Sequence, residues 1–234
     1  MDLETPGPHR LKYQHELKEL EEHVLGGIDL VLEQLDRVTE ALEHQDVELA
    51  GIVIADDDRI DGRFLEVHQG ILSLLARQAP VAGDLRLVAA LLHCIKHVER
   101  MGDQCVNIGK LIPLSGHEPP RRDEIVEKLI QMGRFARGEV VQCRTAFERR
   151  DAALAERDVA LAESLATQDR DINRLNREIF QMAVAAGDDY DVREWSMHMT
   201  LVARAYERIG DNAVDIGEQV AFVVTGLFRE FTSL

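Results

Sequence analysis

Aromatic side chains are scarce in this chain, at 5% of its 234 residues. β-Rich folds draw on aromatic and β-branched residues in alternation, and no stretch here repeats with a period of two. Ala, Leu, Val, Glu, Asp and Arg dominate instead, which favours helices packed on helices. Positive charge is the second shortage. With 27 Lys and Arg against 43 Asp and Glu, the formal charge is −16. Naked nucleic acid and anionic membrane surfaces both need a basic face, so neither is expected as a partner. No apolar run approaches the ~18 residues that span a bilayer. The opening "MDLETPGPHR" has neither the basic start nor the apolar run of a signal peptide. Cytoplasmic residence follows as the expectation. Cysteine is rare too: Cys94, Cys105 and Cys143 are odd in number and lack C-x-x-C spacing. They read as reduced, packed thiols.

What is present is helical periodicity. Leu17, Leu20, Val24, Ile28, Val31, Leu35, Val38 and Leu42 recur at helical spacing between residues 11 and 46. A second helix is predicted from Val47 to Arg77, and "QAPVAGD" (78–84) then turns the chain. A third runs from Leu85 to Ile112. "PLSGHEPP" (113–120) is the strongest break, and the pattern returns after it with helices near 121–150, 152–185 and 191–228. The reading is all-α: two tandem three-helix bundles at 11–112 and 121–228, a linker at 113–120, and tails at 1–10 and 229–234. "DAALAER" followed by "DVALAES" (151–164) looks like a seven-residue duplication, about two turns, that lengthens one helix.

The halves repeat each other. "ERMGDQCVNIG" (99–109) recurs 108 residues later as "ERIGDNAVDIG" (207–217). Glycine inside a helix costs about 1 kcal/mol relative to alanine, and acids at i,i+4 repel, so such a flaw kept twice suggests a part. "VELAGIVIADDDRID" (47–61) likewise matches "VALAESLATQDRDIN" (159–173) at an offset of 112. In an antiparallel hairpin turning at Pro80, Asp57 lies level with Asp103 and Asp61 with Glu99. About Tyr190, Asp169 lies level with Asp211 and Asn173 with Glu207. Helical spacing places Asp57 and Asp61 on the stripe of Ala50, Val53, Phe64, Ile71 and Leu75. Glu99 and Asp103 share the stripe of Val88, Leu92, Ile95 and Val106.

Carboxylates gathered on such a seam are unstable unless something neutralises them. Protons, Arg100 and Arg208, or a metal ion would each serve. All-oxygen donors suit hard cations such as Mg, Mn or Fe rather than zinc. Gly102 and Gly210 clear space for a close neighbour. His68 reads as packing, His93 and His97 fall off the Glu99 face, and Trp195 reads as core. Glu66 and Glu178 match between the repeats and read as contacts between helices or with a partner.

The sequence contains no Glu-x-x-His pair of the di-iron bundles, no phosphate-binding glycine loop and no nucleophile elbow. An acidic helical adaptor with no catalytic role therefore fits best, and a carboxylate-bridged metal-dependent hydrolase is the alternative. The doubled E-R-x-G-D-x-x-x-[ND]-I stretch, each preceded by D-x-x-I-[DN], and the segment "QAPVAGDLR" resemble the PhoU family over residues 11 to 228. That resemblance implies a cytoplasmic, often dimeric regulator of phosphate uptake and phosphate-starvation signalling, acting between a phosphate ABC transporter ATPase and a sensor histidine kinase. It also implies metal on Asp57, Asp61, Glu99 and Asp103 in the first half, and on Asp169, Asn173, Glu207, Asp211 and Asp215 in the second. Asn107 and Asp215 stand at the trailing motif positions. Asn173 replaces a carboxylate, so weaker binding is expected in the second half.

Overall fold

The computed structural model describes residues 8–116, 118–149 and 155–228, with the side chains of all but 8, 9, 115 and 155–169. Seven α-helices follow in order: α1 (Pro8–His44), α2 (Val47–Ala55), α3 (Asp58–Arg77), α4 (Ala82–Leu111), α5 (Asp123–Arg149), α6 (Ala155–Val184) and α7 (Tyr190–Thr225). Among the described residues there is no strand. Helix α1 begins at Pro8, inside the stretch expected to be a tail, and proline suits a first helical position. Residues 1–7 and the expected tail at 229–234 lie outside the described residues. The 151–164 duplication has no described side chains either.

One predicted helix is in fact two. The chain breaks between Val47 and Arg77, where Asp56 closes α2 by donating its N–H to the Ile52 carbonyl at 2.9 Å. Three consecutive aspartates, Asp56 to Asp58, are poor helix formers, and Arg37 of α1 pulls the Asp56 carboxylate aside at 2.6 Å. The matching stretch of α6 has Gln168 and Arg170 where the first half has Asp56 and Asp58, and it runs unbroken. The turn places Asp57 at the head of α3, on the side facing α4.

The interhalf segment is anchored rather than loose. A short 3-10 turn at Pro113–Ser115 ends at Gly116, whose φ of 75° favours glycine. Gln45, in the corner between α1 and α2, donates its amide to the carbonyls of Ile112 at 2.8 Å and Gly116 at 3.0 Å. Arg121 donates to the Glu43 carbonyl at 2.6 Å.

The two units share one hydrophobic core. Helices α1, α4, α5 and α7 form its centre; α2 and α3 cover α1 and α4, and α6 covers α5 and α7. Val31, Leu35 and Val38 of α1, Val98, Met101 and Cys105 of α4, Met132 and Val140 of α5, and Tyr206 and Ile209 of α7 are all fully buried within it. Thr39 Oγ1 and the Tyr206 hydroxyl lie 3.0 Å apart across the halves. Gly133 lets them meet: a Cβ there would stand 2.8 Å from Thr39 Oγ1 and 3.2 Å from the Tyr206 ring. The three cysteines are free and buried. Burial pushes the Cys105 and Cys143 thiols up, so both stay protonated and unreactive. Trp195 is core, as its pattern suggests.

Candidate carboxylate centres

In the first half the hairpin register brings the acids together. Asp57 and Asp61 from α2–α3 act on Asp103 of α4, and Asp103 in turn feels Glu99. Burial, followed by repulsion from Asp61 and Asp103, pushes Asp57 up to about 6. Desolvation, then Glu99 and Asp61, raises Asp103. Two neighbouring carboxylates that both resist ionisation mark a site short of positive charge. Gly102 makes the approach possible, because a Cβ at that position would lie 3.2 Å from Asp57 Oδ1 and 2.9 Å from Ile60 Cδ1.

The neutralising charges differ from the sequence expectation. Among the described residues Arg100 makes no ion pair, and Arg208 uses only its backbone carbonyl, which accepts from Asn212. The cations at hand are Lys96, whose ammonium donates to Glu99 Oε2 at 2.9 Å, and Lys110, which with Lys96 lowers the Asp103 pKa and by itself lowers that of Asp57. Lys96 also stands over the Phe64 ring at 5.2 Å. From α1 the buried Gln34 amide faces Asp57 and favours its ionised form without closing a full hydrogen bond.

The second half repeats the plan with substitutions. Arg204, 108 residues beyond Lys96, donates to Glu207 Oε2, which also accepts from Asn176 at 2.8 Å. Glu207 is buried, Asn173 half-buried and Asp211 exposed, while the Asp169 side chain lies outside the described residues. A Cβ on Gly210 would land on Glu139 Oε2, and Glu139 of α5 is fully buried. Asp215 does not point back along this cluster. Its Oδ2 lies 3.3 Å from His97 Nδ1 of α4, so it joins the halves instead. His97 also meets Asn212 at 2.9 Å.

Sequence reasoning missed Gln34, Glu139, Lys96, Lys110 and Arg204. Gln34 and Glu139 each interrupt an apolar period, between Val31 and Leu35 and between Ala136 and Val140, and that interruption was the available signal. Glu66 and Glu178 do make contacts between helices: Glu66 pairs with His23 of α1 at 2.9 Å, and Glu178 with Lys128 of α5 at 2.5 Å. His68 is exposed and stacks on Phe64, with ring centres 5.6 Å apart.

All of these donors are oxygens, and the repelling acids of the first half would take a hard cation. Among the described residues, however, no three His, Cys, Asp or Glu side chains stand ready to hold an ion. Glu99 is drawn to Lys96, and Glu207 to Arg204 and Asn176. Binding an ion would require these carboxylates to exchange a basic side chain for the metal.

The PhoU domain model matches the chain twice, at residues 27–112 and 129–220, once on each half. The chain belongs to the PhoU family. A phosphate-specific transport system accessory protein PhoU homolog from Aquifex aeolicus is 33% identical over 198 residues, covering 85% of this chain and 86% of that protein. A Mycobacterium leprae homolog is 29% identical over 227 residues, covering 94% and 96%. Among solved structures, PhoU from Pseudomonas aeruginosa superposes with a TM-score of 0.81 at 28% identity, covering 92% of this chain and all of that one. The phosphate transport system regulatory protein PhoU from Streptococcus pneumoniae superposes with a TM-score of 0.80 at 25% identity, covering 94% and 100%. The family is thus one of accessory and regulatory proteins of phosphate transport, and the fold is theirs throughout. Among the described residues no helix is long and apolar enough to cross a membrane.

Proposed function

We propose that this PhoU-family protein is a cytoplasmic regulator that couples a phosphate ABC transporter to a sensor histidine kinase and represses the phosphate-starvation response when phosphate is plentiful. The observation that carries this reading is the family match on both halves, together with near full-length likeness to proteins named as accessory and regulatory. The shared core adds physical support. Because α4 packs along α7 and α1 along α5, a contact made on one half bears on the other. An adaptor of this kind turns over no substrate and transmits only its differential affinity for a partner's two states. A homodimer and hard cations on the carboxylate centres belong to the same reading. Asp57, Asp61, Glu99 and Asp103 would hold the ion in the first half, and Asp169, Asn173, Glu207 and Asp211, with Glu139 beneath them, in the second. Such an ion would supply positive charge where Lys96 and Arg204 now supply it.

Deletion of the gene is expected to derepress phosphate-starvation genes in phosphate-rich medium, read with a reporter, and the wild-type copy to restore repression. A copy with Glu99, Asp103, Glu207 and Asp211 all replaced by Ala shows whether the carboxylates matter for signalling beyond folding. Normal repression in the deletion strain would overturn the reading. Phosphatase activity of the purified protein that disappears in Glu99→Ala would favour the metallo-hydrolase instead.

A further inference from the structure

The seam between α4 and α7 has two ends that the duplication makes equivalent, and the chain has charged them differently: one carries bases alone, the other bases and acids together. At one end Asp215 of α7 meets His97 of α4 at 3.3 Å, and Glu218 follows Asp215 one turn later in the sequence. The duplicate positions of Asp215 and Glu218, 108 residues earlier, are Asn107 and Lys110. They line the other end, a cleft of about 340 Å³, with Gln104 of α4 and with Leu201, Arg204 and Arg208 of α7. Three cations and two amides therefore converge in a chain of net charge −16, and among the described residues no acid lines the cleft. Arg204 spends one nitrogen on Glu207 and keeps the rest of its fork.

We propose that this cleft binds a phosphate-class oxyanion. Two guanidinium forks and an ammonium match a tetrahedral dianion in charge and in donor geometry, and the amides of Gln104 and Asn107 supply further N–H donors. Lys110 and Arg204 are partly balanced by carboxylates outside the cleft, which still leaves its lining net positive, whereas at the opposite end of the seam His97 meets Asp215. The anion also shares cations with both carboxylate centres. Lys110 acts on Asp57 and Asp103, and Arg204 holds Glu207. The same chemistry serves free phosphate and the phosphoryl group of a modified partner. Exposed Leu201 at the rim offers apolar contact only to an ester.

The test is calorimetric titration of the full-length, chelator-treated protein at low ionic strength with inorganic phosphate, phenyl phosphate and acetate. Chelation keeps phosphate held by stray metal out of the signal, and low salt preserves attraction at an exposed site. Phosphate and phenyl phosphate are expected to bind and acetate to give no measurable heat. Tighter phosphate assigns the site to the free anion, and tighter phenyl phosphate to a phosphorylated group; either upholds it. Arg208→Ala and Lys110→Met are each expected to weaken binding about tenfold or more, the loss of one charge-assisted contact. Both side chains are exposed, so an unchanged melting temperature should accompany the loss. Arg100→Ala, the duplicate position of Arg208, should leave binding unchanged. No heat with either phosphate would overturn the proposal, as would equal weakening by Arg100→Ala and Arg208→Ala. The inference stands on the cleft's own side chains. Its failure would leave the adaptor reading intact, and failure of the genetic test would leave the cleft.

Discussion

Tyr206→Ala is expected to destabilise the protein by ~3–5 kcal/mol, as truncation of large buried aromatics does. That is a large share of the 5–15 kcal/mol typical of folded domains. The ring is fully buried, and it fills the junction where Thr39 of α1 and Gly133 of α5 meet α7. Its loss leaves a cavity between the halves rather than within one of them. Tyr206→Phe removes only the hydroxyl and its contact with Thr39, for about 1 kcal/mol. Gly133→Ala tests the same joint from the other side. It gains about 1 kcal/mol of helix propensity, but its methyl lands 2.8 Å from Thr39 Oγ1 against a ring that cannot retreat, so a net loss is expected. Urea unfolding followed by circular dichroism measures all three. A single transition that shifts as a whole is the expected form. A Tyr206→Ala transition in which one half unfolds early while the other keeps its midpoint would mean that the shared core is not cooperative.

That joint was not legible in the sequence, and the reason is physical. Helical periodicity marks Val31, Leu35 and Val38 as inward-facing, but a period says only which side of a helix is apolar, not which helix covers it. Two copies of a three-helix pattern read as two bundles, and nothing in that pattern says that α1, α4, α5 and α7 also turn apolar faces onto one shared core. The candidate site was more legible. Asp57 and Asp103 face each other because register in an antiparallel hairpin follows from its turn, and Gly102 is small because Asp57 and Ile60 stand where its Cβ would be. The break at Asp56 was missed because apolar spacing continues across it. Only the charge repulsion of three aspartates and the pull of Arg37, 19 residues away, end the helix there. Lys96 and Arg204 were overlooked in favour of Arg100 and Arg208, although they occupy duplicate positions three residues before each glutamate. At i,i+3 a base reaches the carboxylate, whereas at i+1 it points to another face.

In metal-free protein, Asp57→Asn is expected to stabilise the fold near pH 7.5 by about 1 kcal/mol. Folding raises Asp57 from its ordinary value of 3.8 to about 6, chiefly by burial and then by Asp61 and Asp103. A raised carboxylate binds its proton more tightly when folded, so its contribution to stability is complete below about pH 4 and is lost as pH climbs through 6. A shift of that size corresponds to ~3 kcal/mol for a fully shielded group, and solvent screening at this half-buried site reduces it to about 1. Asparagine keeps the shape without the charge, so the difference between variant and wild type should grow between pH 4 and 7 and then level off. Added Mn²⁺ should reverse the order. An ion held by Asp57, Asp61, Glu99 and Asp103 turns the mutual repulsion into ligation, and a ligand at a hundredfold excess over its Kd stabilises by about 2.7 kcal/mol. The variant has lost one charged donor, so it should gain less and fall below the wild type. Thermal unfolding of both proteins, chelated and with Mn²⁺, Mg²⁺ or Fe³⁺, reads the crossing directly. If no cation moves the wild-type transition while the chelated variant is still the more stable, the acids meet for a reason other than metal, and cation binding in the first half is wrong.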